Sequence, residues 1–445
     1  MKAKPTLSEH FASRKPSAIR MAQIEFMQRQ KRNPHEKVQV INTAIGNVSL
    51  PMHKAMRERL KHMGHPGEPF ADGVVKYSPT VGIESACKTM LHIIACSGFP
   101  TEGLYAQITD GGSAAMELVI LGVAGAAGTS DRPVLLIDPA YTNYRSMAQR
   151  IGRRVVSVRR LLQDDGRYSL PDWQEIEEVI LQEKVSSIVV IPYDNPTGQF
   201  FSKSALIKLS EIAVKHNLWV ISDEAYRELF YDTSKERVSS IWGISDHDVP
   251  GIEGRRISIE STSKVWNACG LRIGAIVTDN QEFHQKSVAE YTANLCANLV
   301  GQQLFSAILE ESKGELHRWY NEQRSYYQSM MSRLAGKIKE TSPGVIVSSP
   351  DAALYSVIDV RKIAPKNFNA EDFVMFCASK GVVTLQGQQF TLLMAPMAEF
   401  YQVASGRVED NPGRTQMRIA YVETPEKMEL VPELFSILLK DYLNC

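Results

Sequence analysis

The stretch ISIESTSKVWNACGLRIG, residues 257–274, decides the fold. Its first four residues are predicted to form a buried strand that ends at Ser261. Lys264 follows among small hydroxyl residues, and the run Gly-Leu-Arg-Ile-Gly closes the stretch. Most lysines are solvated surface charges. A lysine placed directly after a buried strand, in this setting, is a candidate for binding or catalysis.

Other buried strands with polar residues shortly after them occur upstream. Strands are predicted at residues 134–137 (VLLI), 185–191 (VSSIVVI) and 218–222 (LWVIS). Amphipathic helices alternate with them, such as residues 202–216 with Ser202 as N-cap, and this alternation is typical of a mostly parallel sheet. Because parallel strands end at one edge of such a sheet, where ligands bind, we expect Asp138, Asn195 and Asp223 to lie there beside the lysine.

The chain of 445 residues is long enough for two or three domains. A helix is predicted at residues 17–32, and after about residue 315 the sequence is helix-rich with short strands at 345–349, 354–360 and 416–422. This order predicts an α/β fold with three parts. They are an N-terminal segment (1–65) that contributes to the small domain, a large ligand-binding domain (66–315) and a small α+β domain (316–445).

Composition narrows the class of partner. The chain carries 50 basic and 50 acidic residues, so no global field attracts nucleic acid or a membrane, and a small molecule is the expected partner. No apolar run is long enough to span a bilayer, and the N-terminus lacks the apolar core of a signal peptide. Six scattered cysteines without a CxxC pair predict neither disulfides nor a zinc site. The absence of predicted disulfides indicates a reducing cytoplasm. His62 and His65 have no neighbouring ligand cluster, so we predict no metal.

Residues 261–274 resemble the lysine motif of the class I/II aminotransferases, a family of fold-type I pyridoxal-phosphate enzymes. Other segments in family order extend the resemblance across about residues 40–425. The resemblance implies an aspartate-aminotransferase-like fold. Such a fold has a large domain with a mostly parallel, seven-stranded sheet flanked by helices, and a smaller α+β domain. It also implies pyridoxal 5'-phosphate as cofactor and a homodimer with shared active sites.

The resemblance implies a role for each residue of the lysine motif. Lys264 would bond covalently to the cofactor aldehyde and, once displaced by the substrate amine, would move a proton. Arg272 would bind the cofactor phosphate as a two-pronged donor, helped by the hydroxyl of Ser261. Ser263 is a weaker candidate for the same anion.

Three further segments resemble the family's contacts to the cofactor ring. In Asp-Glu-Ala-Tyr (223–226), Asp223 would pair with the pyridinium nitrogen and Tyr226 would contact the phenolic oxygen. In Asp-Asn-Pro-Thr-Gly (194–198), Asn195 would donate to the same oxygen. In Asp-Pro-Ala-Tyr (138–141), Tyr141 would stack on the ring. Considered without the resemblance, these segments also fit a helix cap, a turn and a packed tyrosine.

The remaining candidates contact the phosphate or the substrate. Ser113 and Ala114 follow two glycines at a helix start, where amide groups face an anion, and resemble the phosphate-cradling turn. Tyr77 resembles the tyrosine that reaches the phosphate of the neighbouring subunit. Gly46 resembles the glycine whose backbone lies over the substrate. Arg418, on a predicted strand, resembles the arginine that binds the substrate α-carboxylate, although an arginine on a strand is also compatible with an exposed salt bridge.

Two regions depart from the family pattern and leave side-chain specificity open. Ala352 and Ala353 stand where glycine usually precedes the tyrosine, here Tyr355, and residues 381–401 lack the common proline-glycine-phenylalanine pattern. No arginine lies between Arg272 and Arg318. The arginine with which an aspartate-specific branch binds the second carboxylate is therefore missing.

We therefore expect an aminotransferase that moves an amino group between an amino acid and a 2-oxo acid. The expected acceptor is 2-oxoglutarate, and aspartate or aromatic amino acids are candidate donors. One alternative is a pyridoxal-phosphate lyase on the same fold, because fold does not fix function. The other is a non-catalytic regulator, which is disfavoured because no DNA-binding winged helix fits in the roughly 40 residues before the resemblance begins.

Overall fold

The computed structural model describes residues 5–231, 239–349, 351–403 and 408–444. The strands are β1 Gln39–Asn42, β2 Tyr105–Thr109, β3 Val134–Asp138, β4 Val155–Arg159, β5 Ser187–Val190, β6 Trp219–Asp223, β7 Arg256–Ser261, β8 Gly274–Thr278, β9 Ile346–Val347, β10 Tyr355–Asp359, β11 Val383–Leu385, β12 Gln388–Leu393, β13 Ala395–Pro396 and β14 Gln416–Ala420. The helices are α1 Glu9–Ser13, α2 Ala18–Arg32, α3 Lys54–His62, α4 Glu84–Cys96, α5 Gly112–Val123, α6 Asn143–Arg150, α7 Trp173–Glu183, α8 Lys203–Lys215, α9 Gln281–Tyr291, α10 Leu299–Phe305, α11 Lys313–Thr341, α12 Ala370–Ser379, α13 Pro425–Met428 and α14 Val431–Leu443.

The largest sheet has seven strands in the order β2-β8-β7-β6-β5-β3-β4. Its strands are parallel from β7 through β4, and β8 runs antiparallel to both of its neighbours. The predicted seven-stranded, mostly parallel sheet is therefore confirmed. Because β2 runs in the same direction as β7, the chain leaves β2, β3, β5, β6 and β7 at one common edge.

Both faces of this sheet are covered, which explains the continuous apolar runs in the sequence. Every residue of β3 is buried. Its alternate side chains enter opposite cores, since Leu135 and Ile137 pack in one cluster while Val134 and Leu136 pack in another. The predicted helix at 202–216 is α8, and the Ser202 hydroxyl accepts from the Ala205 amide at 3.2 Å as its N-cap.

Two smaller sheets lie elsewhere in the described chain, in the orders β1-β12-β11 and β13-β14-β10-β9. β1 pairs with β12 in parallel, so residues 39–42 share a sheet with residues 388–393. The predicted N-terminal helix is α2, which packs against α12. The division of the chain at residues 65 and 315 stays a prediction.

In the described parts of the chain, no helix has both the length and the apolar character needed to cross a bilayer. In the same parts, no three His, Cys, Asp or Glu side chains come together as metal ligands.

Candidate active site

A cavity of about 280 Å³ opens at the edge where the strands of the large sheet end. Most of the residues predicted from the sequence line it, namely Gly46, Ser113, Tyr141, Asn195, Asp223, Tyr226, Ser261, Ser263, Lys264, Arg272 and Arg418. Ala114 and Tyr77 are not among the lining residues. Tyr77 is 80% exposed on the surface of the chain.

Lys264 points its amine toward the loop after β1. Its Nζ donates a hydrogen bond to the carbonyl oxygen of Gly46. A Cβ atom at Gly46 would lie 2.2 Å from the Tyr355 hydroxyl and 3.3 Å from the Lys264 Nζ. Only glycine therefore allows the backbone to come this close to the lysine and the tyrosine.

Asp223 ends β6, and its carboxylate faces the cavity with few partners. The Tyr144 hydroxyl donates to it, and the Ala225 amide donates to Oδ1 at 3.1 Å. Burial raises the pKa of Asp223, while the hydrogen bond from Tyr144 opposes that rise. A cationic group beside this carboxylate would stabilise its ionised form.

Two tyrosines and an asparagine form a polar group on another wall. The hydroxyls of Tyr226 and Tyr355 lie 2.7 Å apart, and Asn195 Nδ2 donates to the Tyr226 hydroxyl at 3.3 Å. Burial raises the pKa of Tyr226 well above its ordinary value. Tyr226 therefore keeps its proton at neutral pH and can act as a hydrogen-bond donor.

Arg418 lies on β14 with its guanidinium buried against the cavity. Nη1 donates to Asn195 Oδ1 at 2.9 Å and Nη2 donates to the Ala44 carbonyl at 2.6 Å. The guanidinium carbon lies 4.4 Å from the centre of the Tyr355 ring. Nε is buried and has no hydrogen-bond partner among the described residues. A buried guanidinium held this way, with no carboxylate partner in the described parts of the chain, is suited to an anionic ligand.

An anion-binding corner forms where α5 begins. Gly111 has a φ of 86°, and a Cβ atom there would lie 2.5 Å from Arg272 Nη2. A Cβ at Gly274, the first residue of β8, would lie 2.4 Å from the Gly112 nitrogen. The hydroxyl of Ser261 bonds to that of Ser263 at 2.8 Å beside this corner. A guanidinium, two hydroxyls and the start of a helix thus lie together, which is a favourable environment for a phosphate.

These groups fit pyridoxal phosphate, which carries a phosphate, a protonatable ring nitrogen, a phenolic oxygen and an aldehyde. The corner at Gly111 and Arg272 offers a cradle that a Cβ would fill. Asp223 offers a buried carboxylate for a cationic nitrogen, and Tyr226 offers a donor for the phenolic oxygen. Lys264 offers the amine on the same cavity wall. Each functional group of the cofactor thus has a chemically matched residue here.

Several lining residues were missed in the sequence. Tyr144 follows Tyr141 by three residues and lies in the first turn of α6, so its spacing is a local signal that could have identified it. Phe400 and the start of α2, including Ser17 and Arg20, also line the cavity. No local pattern marks these residues, because they reach the cavity only through tertiary packing.

The chain is similar to known proteins in sequence and in fold. The profile of the family "Aminotransferase class I and II" matches residues 38–422. Over 429 residues, the chain is 24% identical to the probable kynurenine–oxoglutarate transaminase BNA3 of Saccharomyces cerevisiae, covering 91% of this chain and 88% of that protein. It is 26% identical over 228 residues to the cystathionine beta-lyase PatB of Bacillus subtilis, covering 51% of this chain and 56% of that protein.

Among solved structures, a single mutant of Thermus thermophilus aspartate aminotransferase is similar, with a TM-score of 0.77. The identity is 18%, and the match covers 98% of this chain and 100% of that one. At this identity the likeness shows the fold alone, and it confirms the predicted aspartate-aminotransferase-like architecture. The profile match spans most of the chain. The protein is therefore a pyridoxal-phosphate-dependent enzyme and belongs to the class I and II aminotransferase family.

Proposed function

We propose that the enzyme moves an amino group between an amino acid and a 2-oxo acid, with 2-oxoglutarate as the acceptor. Aspartate and aromatic amino acids are candidate donors. The observation that carries this proposal is the placement of the buried Arg418 guanidinium and the Lys264 amine on one cavity. When bound, pyridoxal phosphate supplies an electron-accepting ring that stabilises negative charge developing at the substrate α-carbon.

Arg418 is proposed to bind the α-carboxylate of both substrates. Its two bonded nitrogens are fixed by Asn195 and by the Ala44 carbonyl, so the guanidinium plane has one defined orientation. A carboxylate held by a guanidinium is hard to expel, which disfavours decarboxylation. Arg418→Lys keeps the charge but loses the planar fork. We expect it to raise KM for donor and acceptor together, and an unchanged KM would remove Arg418 from the site.

Lys264 is proposed as the residue that takes and returns the proton at the substrate α-carbon. The Gly46 carbonyl accepts from its Nζ and would orient the amine. Asp223 would hold the ring nitrogen protonated, and Tyr226 with Asn195 would donate to the phenolic oxygen. Tyr141 would lie against the ring, and burial raises the pKa of its hydroxyl to about 12, which keeps it neutral.

The phosphate is proposed to lie at the start of α5. Arg272, Ser261, Ser263 and the first turn of α5, with Ser113 and the Ala114 backbone, would surround it. The dipole of a twelve-residue helix favours an anion at this end. This assignment separates cofactor retention, which depends on Arg272, from turnover, which depends on Lys264.

A β-lyase reaction is the second candidate, and the similarity to the cystathionine beta-lyase PatB favours it. The two reactions differ when no 2-oxo acid is present. An aminotransferase would stop after one equivalent of 2-oxo acid per enzyme, because the amino group has no acceptor. A lyase releases ammonia over many turnovers. The ratio of product to enzyme therefore discriminates between them.

The deciding experiment is a screen of twenty amino acids against 2-oxoglutarate, with glutamate formation as readout and Lys264→Ala as the matched inactive control. Transfer from at least one donor by the wild type alone supports the proposal. Ammonia release without glutamate formation would support the lyase instead. Neither product from any of the twenty amino acids would refute transfer from aspartate or the aromatic amino acids to 2-oxoglutarate.

We also propose a homodimer in which Tyr77 serves the phosphate site of the partner subunit. Its 80% exposure, next to exposed Val74 and Val75, supports a role outside its own cavity. Mixing Lys264→Ala chains with Tyr77→Ala chains should restore activity, because one site of the mixed dimer has both residues intact. The Tyr77→Ala defect is measured first. No recovery from two clearly defective parents would place Tyr77 in its own chain's site.

A further inference from the structure

The cavity is lined by more cationic side chains than the proposed reaction uses. Arg20, Lys264, Arg272 and Arg418 line it, and Asp223 is the one carboxylate among its lining residues. Lys264, Arg272 and Arg418 have proposed ligands in the cofactor and the α-carboxylate. Arg20 has no proposed ligand, although it lines the same cavity.

The guanidinium groups near the cavity fall into two classes. Arg145 and Arg160 are each neutralised by an aspartate, Asp138 and Asp194 respectively. Arg272 and Arg418 donate instead to neutral oxygens, which leaves their charge available for a ligand. Arg20 belongs with the second class. Its Nη1 donates to the amide oxygen of Gln23 at 3.4 Å, and no carboxylate of the described residues pairs with it.

The position of Arg20 follows from the packing of α2. The Ala18 amide, at the start of α2, donates to Glu399 at 3.3 Å. The next residue, Phe400, has its ring centre 5.3 Å from the Arg418 guanidinium carbon. Arg20, which is exposed, lines the same cavity as Phe400 and Arg418. A substrate whose α-carboxylate lies at Arg418 therefore has its side chain in the cavity that Arg20 also lines.

We propose that Arg20 binds a second carboxylate, at the end of the substrate side chain, so that the enzyme selects dicarboxylic amino and 2-oxo acids. This inference rests on the proposed function, because it takes Arg418 as the α-carboxylate site. The exposed position of Arg20 makes its Coulomb attraction sensitive to salt.

Arg20→Gln on the holoenzyme tests the proposal by binding, independently of turnover. Dissociation constants are measured for glutarate and for pentanoate, which has the same chain length and one carboxylate. The matched control is Arg32→Gln, which removes a 57% exposed arginine from the same helix, outside the cavity. We expect Arg20→Gln to weaken glutarate about tenfold, the loss of a charge-assisted hydrogen bond, and to leave pentanoate and the control within about twofold.

A second readout uses kinetics. In the wild type, KM for 2-oxoglutarate should rise with ionic strength more steeply than KM for pyruvate, and Arg20→Gln should remove that difference. Equal effects on glutarate and pentanoate, or no effect on either, would overturn the inference. Failure of the proposed function gives a different result, since the wild type would then transfer no amino group while Arg20→Gln still weakened glutarate selectively.

Discussion

Gly111→Ala perturbs the corner where the phosphate is expected to bind. With a φ of 86° and a ψ of 166°, Gly111 occupies a backbone region that is essentially restricted to glycine. The added methyl carbon would also lie 2.5 Å from Arg272 Nη2 and 2.9 Å from its Cζ. Arg272 must therefore move, and the backbone must shift, before alanine can be accommodated.

The size of the effect follows from these two contacts. Backbone strain in such a region costs about 1–3 kcal/mol, which lowers the free energy of unfolding. Moving Arg272 away removes hydrogen bonds between charged groups that contribute about 1.5–3 kcal/mol to binding. We therefore expect the Kd for pyridoxal phosphate to rise about ten- to a hundredfold.

The assay is titration of the apoenzyme with pyridoxal phosphate, accompanied by thermal unfolding of the apo form. Gly112→Ala is the matched control, because a Cβ there meets its nearest atom, Ile259 Cγ2, at an ordinary 3.4 Å. The control should bind the cofactor within about threefold of the wild type. The reasoning is refuted if Gly111→Ala binds as the wild type does, or if both alanines weaken binding equally.

Two other substitutions test separate parts of the account. Asp223→Asn removes the carboxylate proposed to pair with the ring nitrogen. We expect kcat to fall about a hundredfold or more while the Kd for pyridoxal phosphate changes less than tenfold. Losses of kcat and of cofactor affinity in the same proportion would contradict this role. Burial raises the pKa of Glu224 to about 7. Between about pH 4.5 and 7, the Glu224 carboxyl is protonated in the folded protein and ionised in the unfolded chain. The free energy of unfolding therefore falls as pH rises through this range. We therefore expect the unfolding temperature of Glu224→Gln, minus that of the wild type, to be larger at pH 8 than at pH 5. An equal difference at both pH values would contradict the raised pKa of Glu224.

Much of the fold was predictable because the relevant signals are local. The strands predicted at residues 134–137, 218–222 and 257–260 are short apolar runs followed by a polar residue. The strand directions then bring Asn195, Asp223 and Lys264 to one edge. The helix start after β2 was visible as two glycines before an apolar helix. The sequence did not show that a Cβ at Gly111 would meet Arg272, because that contact joins residues far apart in the chain.

The missed parts of the site depend on tertiary contacts. Arg20 reaches the cavity because the start of α2 is held by Glu399, which lies almost the whole chain away. Tyr355 lies on β10 in a small sheet, whereas Tyr226 lies in the turn after β6 of the large sheet, and the alanines before Tyr355 gave no indication of their contact. For Ala114, the sequence identified the turn at the helix start but did not show which of its residues line the cavity.

Reduction of the holoenzyme with borohydride, followed by peptide mapping, tests the central claim most directly. The account predicts that the cofactor is fixed to one peptide and that its mass lies on Lys264. Adding an amino-acid donor before reduction should diminish this label, because the substrate amine displaces the lysine. Label on a different lysine, or none after incubation with pyridoxal phosphate, would contradict the assignment of Lys264.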